Sequence, residues 1–198
     1  MRAHAALALL AVAAFAAASA GAEPAARDDT VQLDSARSHA QFRVKVMWLI
    51  GIQGSFGSVR GSVDVDRFRS RAVVDAYIDV DKVHMNVRGY EDWVKSPEFF
   101  DATAHPEIHF VSEPFALKRL HDGGELPGTL TLRGVSREVS FTLAPATCAQ
   151  PGYDCPIVAT GTIGRSQFGM RSRLGTVGDR VSLGFSVFAI RSAARLSR

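Results

Sequence analysis

Residues 39–48 read HAQFRVKVMW, and this stretch decides the fold. Ala40, Phe42, Val44, Val46 and Trp48 occupy every second position, with Gln41, Arg43 and Lys45 between them. Successive side chains of a strand point to opposite faces, so the segment has one apolar side and one polar side. The same period runs through most of the chain. SVRGSVDVD aligns Val59, Gly61, Val63 and Val65, and AVVDAYIDVD aligns Val74, Ala76, Ile78 and Val80. TLTLRG sets Leu130 and Leu132 on one side, and EVSFTL does so with Val139, Phe141 and Leu143. IVATGTI contributes Ile157, Ala159, Gly161 and Ile163, and VSLGFSVFAI contributes Val181, Leu183, Phe185 and Val187.

Turn signals separate these runs: Gly51, Gly54 and Gly57, then HDGG (121–124), Gly134, the segment between the cysteines, and GTVGD (175–179). About eight strands with short glycine-bearing links predict antiparallel neighbours and an all-β barrel or sandwich. One stretch, NVRGYEDWVKSPEFF, lacks the alternation; Tyr90–Lys95 is expected to form a short helix that ends before Pro97. No second domain, internal repeat or low-complexity tract is visible.

The first 22 residues have the form of a secretory signal: Arg2, an apolar run from Ala5 to Ala18, then the small-residue triplets Ala18-Ser19-Ala20 and Ala20-Gly21-Ala22. Cleavage after the second triplet is favoured. The apolar run is shorter than the roughly 20 residues a membrane span needs. Residues 23–30 then read as a flexible polar leader and 191–198 as a tail, leaving a barrel over 31–190 in a periplasmic protein. A net charge of +3 on 22% charged residues, without Lys/Arg runs or interleaved aromatics, excludes a nucleic-acid partner. Cys148 and Cys155, in CAQPGYDC, form an even pair in an exported chain. With Pro151 and Gly152 turning the chain between them, a structural disulfide is expected.

A closed eight-stranded sheet has an interior that side chains just fill, or that holds one small ligand. The inward set mixes Phe42, Trp48, Phe141 and Phe185 with Ala40, Gly61, Ala76, Ala159 and Gly161, which suits either outcome. Almost no ionisable residue falls on the inward faces, so any cargo is apolar, held at about 0.8 kcal/mol per buried CH₂.

Five motifs in order resemble the YceI-like, polyisoprenoid-binding domain proteins of bacteria. These are LDSARSHAQFRV, IQGSFGSVRGSV, WVKSPEFFDATAHPEIHF, GTLTLRGVSREVSF and IGRSQFGM, and the resemblance covers residues 31 to about 190. The resemblance implies an extended lipocalin-like antiparallel barrel, a periplasmic location and a non-enzymatic role in carrying or storing a long isoprenoid-type lipid. A transient membrane contact and a homodimer are also admitted, and no cofactor is expected. Parity and motif position together nominate Phe42, Val44, Trp48, Ile78, Phe100, Phe110, Phe141, Phe168 and Phe185 as the ligand's lining. The family often has a His near the end of its second strand, where this chain reads KVMWLI (45–50), which implies a mouth lined by Trp48 and Ile50.

SPEFFDATAHPEIHF (96–110) is the stretch that most invites an enzymatic reading. His105 and His109 have the i, i+4 spacing of helical metal ligands, with Asp101 four residues earlier. Pro106 and the alternation of EIHF argue for a strand instead, which would send Glu107 and His109 outward and Ile108 and Phe110 inward. Zinc needs three or four ligands. The expectation is therefore architectural: Phe99 and Phe100 tuck under the rim or onto the ligand, Asp101 caps a turn, and Pro106 starts a strand. Two alternatives stand beside the carrier: a filled barrel that docks a membrane partner, and a metal-dependent enzyme at His105 and His109. Arg165-Ser166 and Asp179-Arg180 are expected to form a surface ion-pair network, with Arg165 meeting a lipid phosphate as its alternative role.

Overall fold

The computed structural model describes residues 29–191, so the signal segment, most of the leader and the end of the tail lie outside the described residues. Twelve strands form one antiparallel sheet. They are β1 (Asp29–Gln32), β2 (His39–Val46), β3 (Ile50–Phe56), β4 (Arg60–Asp66), β5 (Arg71–Asp79) and β6 (Val83–Met85), then β7 (Glu107–Ser112), β8 (Phe115–Ala116), β9 (Gly124–Leu132), β10 (Val135–Leu143), β11 (Ile157–Gly164) and β12 (Val177–Val187). Nine of them are six residues or longer. The expected helix is present as α1 (Tyr90–Lys95), and a second, α2 (Arg119–Asp122), takes up the HD of HDGG. β1 begins inside the segment expected to be leader, because Asp29 and Thr30 pair with Val65 and Asp64 of β4.

The sheet runs β1-β4-β5-β7-β9-β10-β11-β12-β2-β3-β6, with β8 on the start of β5. It curls until its first strand meets its longest. Leu33, just past β1, bridges Ala189, just past β12. The Asp34 N–H donates to the Phe188 carbonyl, and the Ile190 N–H to that of Gln32, each at 2.8 Å. Eight strands thus form a circuit, while β2, β3 and β6 extend from the other part of the β12 edge. Register is fixed by what must face inward: a slip of one residue would turn Phe42 and Val44 to water.

Four glycines read as turn signals are in fact strand residues: Gly124 begins β9, Gly178 lies in β12, and two belong to β3. Gly51 and Gly54 lie within β3, and Gly54 sits opposite Phe42. A Cβ at Gly54 would come within 2.2 Å of the Phe42 ring. Gly161 stands in the same relation to Phe141, at 2.4 Å. The mixture of large and small inward residues therefore reflects rings lying across neighbouring glycines, which pins the register. The true turn between β2 and β3 is Met47–Leu49, which contains no glycine; Met47 and Trp48 adopt φ of 48° and 66°.

The cysteines are joined. Their loop folds back through Gly152, whose N–H donates to the Cys155 carbonyl at 2.8 Å, and it is tied to the end of β12 by the Ala189 N–H donating to Gly152 at 2.7 Å.

Candidate lipid-binding cavity

Alternation along β2, β4, β5, β7 and β9 to β12 points a continuous set of aliphatic and aromatic side chains at the barrel axis. They line a partly open cavity of about 280 Å³. Two aromatic groups shape it. Phe42, Phe56 and Phe100 form a triangle with ring centroids 5.7–5.8 Å apart. Phe110, Phe141 and Phe185 form a row, edge to face, at 5.1 and 5.0 Å. Phe100 and its neighbour Phe99 reach the interior because the chain after α1 turns sharply at Asp101, which has φ 53°. The Asp101 carbonyl accepts the Ala104 and His105 N–H groups, while its carboxylate lies 3.8 Å from Arg133. The turn is thus capped by the backbone, not by the Asp101 side chain.

Of the nine residues nominated from sequence, Phe42, Val44, Ile78, Phe100, Phe110, Phe141 and Phe185 line the cavity. Trp48 does not: β2 stops at Val46, and the left-handed turn turns the indole out, leaving it 77% exposed. Ile50 is likewise exposed. Phe168 is buried completely, but in the packed core beneath the Arg165–Phe168 turn, off the cavity wall. Sequence reasoning missed Phe56 and Met170. The Ile52-Gly54-Phe56 alternation would have revealed Phe56 had the glycines not been read as a turn.

Arg165 is the one charged side chain among the described residues that line the cavity. Its place corrects the surface network expected for it. The side chain is 2% exposed and donates from Nε to the Gly178 carbonyl at 2.9 Å, from Nη1 to Met170 at 2.7 Å and from Nη2 to Val177 at 2.8 Å. Burial pushes its guanidinium below the ordinary value, partly offset by the Asp179 carboxylate. Asp179 itself accepts the Ser166 N–H at 2.8 Å. These bonds fasten the turn before β12 to the strand's first residues. Ser38 is similarly structural: its buried hydroxyl exchanges hydrogen bonds with the Phe188 backbone.

The histidines of residues 96–110 have separate neighbours. Glu107 and His109 face outward from β7, as Ile108 and Phe110 face inward. His109 Nε2 lies 2.7 Å from Asp75, and its ring stacks on Tyr77 at 4.2 Å. Arg60 spans Asp79 and Glu107 beside that stack. Asp79 is held below the usual carboxylate range, chiefly by its hydrogen bond from Lys82 and also by Arg60. Burial and the Asp75 carboxylate push the Tyr77 phenol up. His105 lies instead against the Arg133–Gly134 turn. His109 is thus engaged on the outer face of β7, while His105 and Asp101 both adjoin the Arg133–Gly134 turn, and among the described residues no three potential metal ligands cluster.

The barrel is shared with known proteins. Burkholderia cenocepacia BcnA superposes with a TM-score of 0.65 at 23% identity, covering 78% of this chain and 98% of that one. A polyisoprenoid binding domain from Saccharophagus degradans gives 0.61 at 12% identity, covering 82% and 98%. Among curated proteins, the UPF0312 protein of Yersinia enterocolitica is 29% identical over 169 residues, 81% of this chain and 86% of the relative. That of Pectobacterium carotovorum is 28% identical over 166 residues, 81% and 85%. The family model described as the YceI-like domain matches residues 31–189, from the strand that closes the barrel to the one residue it bridges at the far end. The chain therefore belongs to the YceI-like domain family.

Proposed function

We propose that this protein is a periplasmic carrier or storage protein that holds an isoprenoid-type lipid chain inside its barrel, and that it catalyses no reaction. One observation carries the proposal: a cavity of about 280 Å³ whose wall is hydrocarbon almost throughout. An apolar space of this kind offers water no polar partners, and a hydrocarbon entering it gains about 0.8 kcal/mol for each CH₂ removed from solvent. The wall offers girth and length to select on, and little polar chemistry. The polyisoprenoid-binding description of the Saccharophagus protein agrees with this cargo. Export is supported by the form of residues 1–22 and by the joined cysteines, which persist in oxidising compartments.

Volume limits the cargo. An apolar cavity of about 150 Å³ accepts one benzene ring, so the space here corresponds to about a dozen carbon atoms. A longer polyprenyl or quinone tail must part the aromatic triangle or leave the barrel. Extraction of the protein purified from the periplasm with organic solvent, followed by mass spectrometry, tests the reading. The expected result is a co-purifying apolar lipid. Recovery of none, together with no uptake of added polyprenyl compounds by the extracted protein, would overturn it.

A further inference from the structure

The tip of the β2–β3 hairpin is made of Met47, Trp48, Leu49 and Ile50, whose exposures are 62, 77, 90 and 56%. Leu174, 42% exposed, stands beside Trp48 in a niche shared with Lys45, Gly175, Thr176 and Gly178. Other exposed apolar residues, such as Phe68, Val158 and Ile190, are scattered singly along the sequence. Isolated surface hydrophobes are ordinary; a contiguous set is a contact surface. The tip is also held in shape. Its two left-handed residues are Met and Trp, where glycine or asparagine would turn at less cost, and the Met47 N–H donates to the Thr176 carbonyl at 2.7 Å. The hairpin and the 171–176 loop thus form one platform.

Charge identifies what the platform meets. Residues 41–55 and 165–178 contain Arg43, Lys45, Arg165, Arg171 and Arg173 and no Asp or Glu. Arg165 is buried, and Arg173 is engaged by Glu98 at 3.1 Å. Arg43, Lys45 and Arg171 remain exposed around the apolar tip. We propose that this tip is a membrane-docking element, Trp48 and Leu49 entering the headgroup boundary of an anionic phospholipid bilayer while Arg43, Lys45 and Arg171 meet its phosphates. Tryptophan suits that boundary, being apolar in body and polar at its N–H. Each cation near an anionic surface raises partitioning about fivefold. A second copy of the chain fits less well, since a two-fold contact would bring these cations against their own counterparts. Val46 and Ile52, on the hairpin's two arms, also line the cavity, so docking would bring the membrane to the barrel's wall.

The test uses protein freed of lipid, so its outcome is independent of whether the cavity carries a cargo. Co-sedimentation with mixed phosphatidylglycerol–phosphatidylcholine vesicles should exceed that with phosphatidylcholine alone by at least about tenfold at low salt, and fall as salt is added. Brominated lipid should quench the Trp48 emission. The double variant Trp48→Ser with Leu49→Ser, checked for native circular dichroism, should lose the binding. Lys45→Glu with Arg171→Glu should abolish the preference for phosphatidylglycerol. Equal vesicle binding by wild type and the Trp48/Leu49 variant would overturn the proposal. So would absence of wild-type binding, including the case in which sedimentation shows a dimer that this variant dissociates.

Discussion

Arg165 is the residue whose sequence context misleads most. It sits in GRSQFG between glycines, where an arginine is ordinarily solvated, yet its guanidinium is buried against three backbone carbonyls. A guanidinium reaches three acceptors from three separate nitrogens in a rigid plane, whereas an ammonium's three donors all radiate from one atom. Arg165→Met should therefore leave the Gly178, Met170 and Val177 carbonyls without donors and cost about 3 kcal/mol or more in urea unfolding. Arg165→Lys should recover only part of that. A loss below about 1 kcal/mol would mean that the carbonyls regain water and that the clamp contributes little. The same position lies near the cavity, so the two variants also separate stability from cargo uptake: the clamp argument predicts that uptake survives in whatever fraction remains folded.

At the scale of elements, alternation made most of the barrel legible, because inward and outward faces are written in period two. The seven nominated residues that line the cavity all come from strands or from the Phe-Phe pair after α1. The failures occur where a strand ends or a turn is chemically disguised. Trp48 continues the apolar parity of β2, but the strand and its pairing with β3 end at Val46, and parity has no meaning past a turn. Gly51 and Gly54 look like turn residues but serve a neighbouring ring and a register. The cysteine loop was readable because an even count and a Pro-Gly turn between the two cysteines agreed with the export expected from the form of residues 1–22. Closing a loop of that length constrains the unfolded chain by roughly 2–3 kcal/mol on the loop-entropy model. Changing both cysteines to serine should lower the unfolding free energy by no more than that. The lost order should concentrate in the loop and its bond from Ala189, measured as faster amide exchange there. Exchange that accelerates throughout the sheet would show instead that the loop holds the barrel closed.

For the molecule as a whole, the question is whether the barrel's inside behaves as a container, and chain length is the variable that answers it. If a ligand is held by area alone, each added CH₂ should tighten binding about fourfold, the equivalent of 0.8 kcal/mol. The gain should continue to about a dozen carbons, where a cavity of about 280 Å³ is full. Beyond that the curve should flatten, because further carbons either stay in water or must push apart Phe42, Phe56 and Phe100, which are in mutual contact. Titration calorimetry on a series of linear and isoprenoid alcohols reads this directly, and burial of apolar surface should appear as a negative heat-capacity change. Phe185→Ala removes a ring from the wall and should move the plateau to longer chains, at a cost of about 3–5 kcal/mol in stability. Affinity that does not change with length, or a plateau that Phe185→Ala leaves in place, would mean that the chains bind outside the barrel. The container would then be a core with a void in it, and the carrier reading would lose its physical basis.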